Sequence, residues 1–269
     1  VAIMVAGLLD PTAMIGLFAL ITGLALWEYT GLVNNIENVC INRFISTVAG
    51  VYLFVAIAGI NSGIIQTNAV FVPYLLTVVY LFISELYTRN ANAVNDWAYT
   101  MLGQMYIALP LACINVLAFR QQPDGTISFY FLLPLSVYIF LWVNDTGAYL
   151  SGSLLGRHKL FPRISPGKSW EGSIGGGLLV LAVAALLGWW ENSHECLSGL
   201  SVIEWMGLGL VVVFFGTWGD LVESLFKRTL GIKDSGSILP GHGGMLDRFD
   251  SSLMAIPASV IYIYSLTLL

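Results

Sequence analysis

Residues 202–227 read VIEWMGLGLVVVFFGTWGDLVESLFK. No ionisable side chain falls between Trp205 and Gly219, so with its flanks the stretch approaches the ~20 apolar residues a helix needs to cross ~30 Å of hydrocarbon. The helical pattern then continues into charge. Asp220, Glu223, Ser224 and Lys227 stand at i, i+3, i+4 and i+7, one stripe along a helix, while Leu221, Val222, Leu225 and Phe226 cover the remaining surface. An ionisable group at membrane depth costs at least ~2.5 kcal/mol on insertion scales. Such a stripe points to a wet cavity or a bound ion, with a structural Asp–Lys or Glu–Lys pair between helices as the plainer alternative.

The rest of the chain has the same solvent. Of 269 residues, 57% are hydrophobic and 10% charged, against roughly 45–50% apolar and about 25% charged in a soluble domain; the mean hydropathy is +0.80. Hydropathy predicts spans at 11–33, 41–60, 70–87, 97–119, 128–150, 173–190, 202–227 and 251–269. The apolar stretch 1–9 is too short to cross and reads as the end of a first helix; no basic residues precede it, which disfavours a signal peptide. The expected fold is an all-α polytopic integral membrane protein, a bundle of about nine transmembrane helices with a polar cavity facing the cytoplasm. It forms one membrane-embedded domain, 1–269, in which 1–127 supplies N-terminal helices and 128–269 the helices and loops carrying the site. The lipid bilayer is its partner, and no nucleic acid is expected. Cys40, Cys113 and Cys196 have no metal-ligand spacing and are odd in number, so small apolar packing is their expected role.

Charge sets the orientation, because Lys and Arg near span ends stay on the cytoplasmic side. Arg43, Arg89, Arg157, Lys159, Arg163, Lys168, Lys227, Arg228, Lys233 and Arg248 fall on one side and only Arg120 on the other, where 191–200 is acidic. The polar loops 151–172 and 228–250 are therefore predicted to be cytoplasmic.

Downstream of the stripe the chain reads Lys233-Asp234-Ser235-Gly236 and then Pro240-Gly241-His242-Gly243-Gly244-Met245-Leu246-Asp247-Arg248-Phe249-Asp250. Gly241, Gly243 and Gly244 permit positive φ and a close approach of backbone to phosphate. Asp247 and Asp250 are hard oxygen ligands suited to magnesium, and Lys227, Lys233 and Arg248 neutralise phosphate oxygens. Residue chemistry alone thus points to a metal–polyphosphate site.

The pattern Ser224-x-x-Lys227-Arg228, Lys233-Asp234 and Pro240-x-His242-Gly243-Gly244-x-x-Asp247-Arg248-x-Asp250 resembles the signature of the phosphatidate cytidylyltransferases, the CDP-diacylglycerol synthases. Similarity extends to Asp145-Thr146-Gly147-Ala148-Tyr149, to Ser165-Pro166-Gly167-Lys168-Ser169-Trp170-Glu171-Gly172 and to Trp27-Glu28. The resemblance implies transfer of a cytidylyl group from CTP to phosphatidic acid, giving CDP-diacylglycerol and pyrophosphate in phospholipid biosynthesis. It further implies a homodimeric enzyme of the bacterial inner membrane, with its active site facing the cytoplasm.

In that chemistry the lipid phosphate attacks the CTP α-phosphorus, and the protein's work is positioning and charge stabilisation. Asp220 and Asp247 are the expected magnesium ligands, with a second cation of open identity. Asp220 has an ion pair with Lys227 as its alternative, and Asp247 a helix cap. Asp250 fits an N-cap before Ser251 as well as a ligand. Ser224, Lys227, Arg228, Lys233, Asp234, His242 and Arg248 complete the expected catalytic set. Ser224 serves metal water or phosphate, or bonds within its helix, and His242 assists the leaving pyrophosphate or stabilises its turn. Asp145, Ser165, Lys168, Ser169, Glu171, Gly243 and Gly244 are the expected substrate-binding set; for Ser169 and Glu171 a helix start is the alternative. The rival functions are a CDP-archaeol synthase, a polyprenol kinase or, from another class, a transporter.

Overall fold

The computed structural model describes residues 2–88, 92–122, 124–194, 198–236 and 243–267. Among them the chain forms α1 (Ala2–Leu8), α2 (Pro11–Val33), α3 (Arg43–Asn61), α4 (Val72–Ser84), α5 (Ala93–Ala118), α6 (Leu132–Leu155), α7 (Trp170–His194), α8 (Val202–Thr229) and α9 (Leu246–Thr267). Two short hairpins join them. β1 (Phe119–Gln121) pairs antiparallel with β2 (Ile127–Phe129), and β3 (Lys159–Phe161) with β4 (Ser165–Ser169).

Among the described residues six helices, α2, α3, α5, α7, α8 and α9, are long and apolar enough to span a membrane. The protein is an all-α polytopic membrane protein, as its composition requires. Many large apolar side chains point outward, among them Leu76, Leu178, Phe214 and Ile261, the arrangement expected when lipid rather than water is outside. α6 has 24 residues, but Asn144 and Asp145 interrupt its apolar run. The span predicted at 70–87 is shorter than its hydropathy implies: a 3₁₀ turn at Asn68–Phe71 precedes the 13 residues of α4. The last helix begins at Leu246 rather than 251, which places Asp250 inside α9 and removes the N-cap expected of it.

The chain clusters into two compact units. The first comprises Val1–Phe131 and Leu230–Phe249. α2 starts on Asp10, whose carboxylate accepts the Ala13 N–H at 2.8 Å; the Thr12 hydroxyl and that N–H hold the Asp10 carboxyl below its usual range. α2 packs on α3, where Leu26 lies against Gly50, while Tyr29 turns to α5 and donates to the Tyr99 carbonyl at 2.9 Å; Phe18, Leu26, Tyr29 and Phe54 are all sealed from solvent. In α5 the turns at Gln104–Ala108 widen to a π-helix just before Pro110, whose ring displaces the carbonyl four residues back and removes a ladder N–H. Gln104, buried there, donates to the Ser46 carbonyl at 2.8 Å and ties α5 to α3.

The second unit comprises Leu132–Thr229 and Asp250–Leu269. α6 and α7 approach closely because glycine faces glycine: a Cβ on Gly147 would lie 2.9 Å from the Gly176 Cα, and one on Gly176 would lie 2.7 Å from the Asn144 carbonyl oxygen. Small residues of this kind let membrane helices pack backbone to backbone. α7 is tied to α8 through Glu191, which is buried and accepts from the Ser198 N–H and the Trp205 indole, both at 2.7 Å. The acidic stretch expected to lie in a loop is thus partly helix, with its first carboxylate turned inward.

Candidate active site

In the second unit a polar cleft of about 200 Å³ opens among Asn144, Asp145, Lys168, Ser169, Thr217 and Ser251. Its contributors come from α6, the β3–β4 hairpin, α7, α8 and α9. The Lys168 ammonium lies 2.6 Å from the Asp220 carboxylate and within 3.4 Å of the Thr217 carbonyl. Asp145 is within electrostatic reach of Asp220 and Lys168, and Asp250 within reach of Asp220, Lys227 and Lys168. Gly219 permits this convergence. A Cβ there would fall 2.9 Å from the Asp250 carbonyl oxygen, so the α8 and α9 backbones touch one residue before Asp220.

Along α8 the charged stripe resolves into separate partnerships. Asp220 pairs with Lys168 and accepts the Ser224 hydroxyl at 3.2 Å, so its ion pair is not with Lys227. Lys227 lies 2.5 Å from Glu223, whose side chain is 0% exposed. Buried ion pairs hold their partners in place because either charge alone is costly to keep from water. Arg228 is exposed at the next position.

Lys233, Asp234, Gly243, Gly244, Asp247 and Arg248 belong to the first unit. There the Asp247 Oδ2 accepts three hydrogen bonds, from the Ser235 N–H at 2.8 Å, the Ser235 hydroxyl at 3.0 Å and the Gly244 N–H at 2.8 Å. Gly243 takes a φ of 79°, the positive value expected of this glycine-rich turn. Glu28 braces the same turn from α2, accepting the Leu246 N–H at 2.9 Å and the Ser235 hydroxyl at 3.3 Å. Lys233, Asp234 and Arg248 are exposed. His242, with Pro240 and Gly241, lies outside the described residues, as do Arg89 and Cys196.

Of the residues expected to bind substrate, Asp145, Lys168 and Ser169 line the cleft. Ser169 also accepts the Gly172 N–H at 3.1 Å at the start of α7. Ser165 stands in β4 opposite Phe161. Glu171 accepts the Arg157 and His158 N–H groups at 3.2 Å and contacts the His158 ring at 2.5 Å, so it fastens the loop before β3. Sequence reasoning passed over Asn144, Thr217 and Ser251 in the cleft and the bracing role of Glu28, and it offered a Glu–Lys pair between helices where Glu223 and Lys227 pair within α8. A polar residue beside Asp145 and a carboxylate at the end of a span were the available signals for Asn144 and Glu28.

The donors of the cleft fit magnesium. They are hard oxygens, and the buried Asn144 Oδ1 has no hydrogen-bond partner among the described residues. Three His, Cys, Asp or Glu donors do not converge on one point among the described residues. Magnesium does not require that, because it is commonly held by one or two carboxylates plus water and substrate phosphates.

The sequence profile described as "Cytidylyltransferase family" matches residues 1–266. The chain is 32% identical to a phosphatidate cytidylyltransferase of Haemophilus influenzae, with 89% of this chain and 87% of that protein covered. It is 35% identical to one from Staphylococcus aureus over 72% of this chain and 68% of the relative, and 32% identical to one from Staphylococcus epidermidis over 93% and 90%. A match over nearly the whole length, on a helical membrane scaffold with its carboxylates and lysines gathered at one cleft, leaves one assignment: the chain belongs to the cytidylyltransferase family.

Proposed function

We infer that the protein is a CTP:phosphatidate cytidylyltransferase, a nucleotidyltransferase that converts CTP and phosphatidic acid into CDP-diacylglycerol and pyrophosphate. The observation that carries this reading beyond family membership is the Lys168–Asp220 pair at the polar cleft, 2.6 Å apart. It sets a cation for phosphate beside a carboxylate for metal. An oxygen of the lipid phosphate attacks the α-phosphorus of CTP, the bond from that phosphorus to the β-bridging oxygen breaks, and pyrophosphate leaves with the electron pair.

Lys168 and Lys227 offset the charge of the two anionic substrates, and Arg228, Lys233 and Arg248 hold the triphosphate and the lipid headgroup. Ser224 donates to a phosphate oxygen or a metal-bound water, and Asp250 adds negative charge beside Asp220. Asp145 and Ser169 orient the nucleotide with Ser165, in the hairpin that frames the cleft, and Glu171, in the first turn of α7. Gly243 and Gly244 act on the substrates by shaping the signature turn, whose Gly244 N–H is held by Asp247; Asp234 positions Lys233, and His242 hydrogen-bonds the departing pyrophosphate. Asp220 and Asp247 are the proposed magnesium ligands. When bound, the ion supplies charge neutralisation between the reacting phosphates. The Lys and Arg asymmetry supports a cytoplasmic site, and the bacterial relatives support the inner membrane; a homodimer belongs to the same proposal.

Purified protein in mixed micelles with phosphatidic acid and magnesium is expected to move label from the cytidine of CTP into the lipid. Label from the γ-phosphate appearing there instead overturns the reading in favour of a lipid kinase.

A further inference from the structure

Beside the polar cleft, in the same unit, runs a second and larger opening of about 340 Å³, a groove between α7 and α8. Its walls are apolar: Ile174, Leu178 and Leu181 on α7 face Leu210, Val213 and Phe214 on α8. Its floor is open at Gly177, where an added Cβ would meet only the Val213 side chain, at 3.7 Å. Ser173 and Thr217 line both openings, so groove and cleft lie side by side at these two residues. Thr217 is also the residue whose carbonyl faces the Lys168 ammonium.

The groove has a polar end and an apolar end. Trp170 and Trp218 flank the end nearest the cleft, 54% and 40% exposed, and tryptophans of this kind sit at the headgroup level of a membrane. From Trp170 to Leu181 the helix rises ~16 Å at 1.5 Å per residue. One leaflet of a ~30 Å hydrocarbon core is ~15 Å deep. The groove therefore starts where a headgroup lies and runs the depth of one leaflet.

We propose that this groove holds an acyl chain of the lipid phosphate while its headgroup occupies the adjoining cleft. The proposal rests on the cytidylyltransferase reading for the identity of the headgroup and adds the place of its tail. Lipid tails are as apolar as the groove walls, so moving a chain into it yields little transfer energy. The groove acts instead by orientation: a seated tail fixes the direction from which the phosphate meets Lys168, which raises the chance of in-line attack.

Phosphatidate carrying a photoreactive diazirine on one acyl chain, added to the full chain in phosphatidylcholine nanodiscs, tests this directly. Crosslinks are expected at 174–181 and 210–218, and excess phosphatidate should suppress them where phosphatidylcholine does not. Labelling insensitive to phosphatidate marks the groove as ordinary lipid contact and overturns the proposal. So does labelling confined to other helices, or crosslinking of two protein chains through these residues. In the functional arm, Gly177→Leu is expected to raise the ratio of KM for dioleoyl over dihexanoyl phosphatidate about tenfold; an unchanged ratio overturns the proposal. Crosslinking needs no turnover, so the two readings fail separately. Competed labelling without cytidine transfer sinks the reaction and leaves the groove, whereas transfer without competed labelling does the reverse.

Discussion

Glu28 on α2 accepts the backbone N–H of Leu246 at 2.9 Å, joining residues 218 positions apart within one compact unit. The same carboxylate oxygen accepts the Ser235 hydroxyl, and Gly236 passes its other oxygen closely enough that a Cβ would fall 2.6 Å away. An early helix thereby shapes the turn that carries the signature. Glu28→Ala leaves the buried Leu246 N–H without an acceptor, a loss of about 1–3 kcal/mol, and is expected to lower the melting temperature in detergent. Glu28→Gln keeps an acceptor and is expected to retain most of the stability; equal losses in both variants contradict the bracing role.

The Glu223–Lys227 pair makes a different prediction, because Glu223 is 0% and Lys227 13% exposed. Removing one member of a buried pair costs about 3–5 kcal/mol, whereas replacing both with neutral residues of similar volume is often close to neutral. Glu223→Ala is expected to destabilise strongly. Lys227→Met with Glu223→Gln is expected to restore the melting temperature without restoring cytidylyl transfer. Transfer by the double variant at the wild-type rate removes Lys227 from the catalytic set.

Asp220→Asn and Asp247→Asn separate charge from shape. Each asparagine keeps an oxygen for the bonds described, so both proteins are expected to fold and extract normally while losing magnesium-dependent turnover. Chelation of magnesium is expected to stop the wild type and its return to rescue it. Near-normal activity in either variant removes that aspartate from the metal site.

Adjacent glycines on α7 should behave in opposite ways. A Cβ on Gly176 would lie 2.6 Å from the Asn144 Oδ1 and 2.7 Å from its carbonyl oxygen, while one on Gly177 meets nothing closer than 3.7 Å. Gly176→Ala is expected to force α6 and α7 apart at a cost of about 1–3 kcal/mol. Gly177→Ala is expected to be neutral or to stabilise by about 0.5–1 kcal/mol through reduced backbone freedom. Thermal unfolding of the two variants, compared with the parent, reads the difference.

The helical membrane class was legible because hydropathy is a sum over many residues: the span at 11–33 coincides with α2, and 202–227 differs from α8 only at its end. Ends were read less well where local chemistry overrides the sum. The β2 strand delays α6 to Leu132, and α9 begins five residues ahead of its apolar run, where Glu28 accepts its opening Leu246 N–H. Candidate site residues stood out where charge lies within an apolar run, as at Asp220 and Lys227. Their pairing did not. Lys168 meets Asp220 from a segment 52 positions earlier in the chain, and helix periodicity ranks only neighbours on the same helix. Thr217 and Ser251 are uncharged, so nothing in composition separates them from other small polar groups in spans, and Asn144 offered only its place beside Asp145.

The membership of Leu230–Phe249 in the first unit has a consequence in time. The ribosome makes residues 132–229, a further 98, before this segment emerges, a wait of about 5–20 s at about 5–20 residues per second. Throughout that interval Glu28 has neither Ser235 nor Leu246 to receive. The first unit therefore reaches its final hydrogen bonding only late in synthesis, and chains released before Leu246 are expected to be recognised as unfinished.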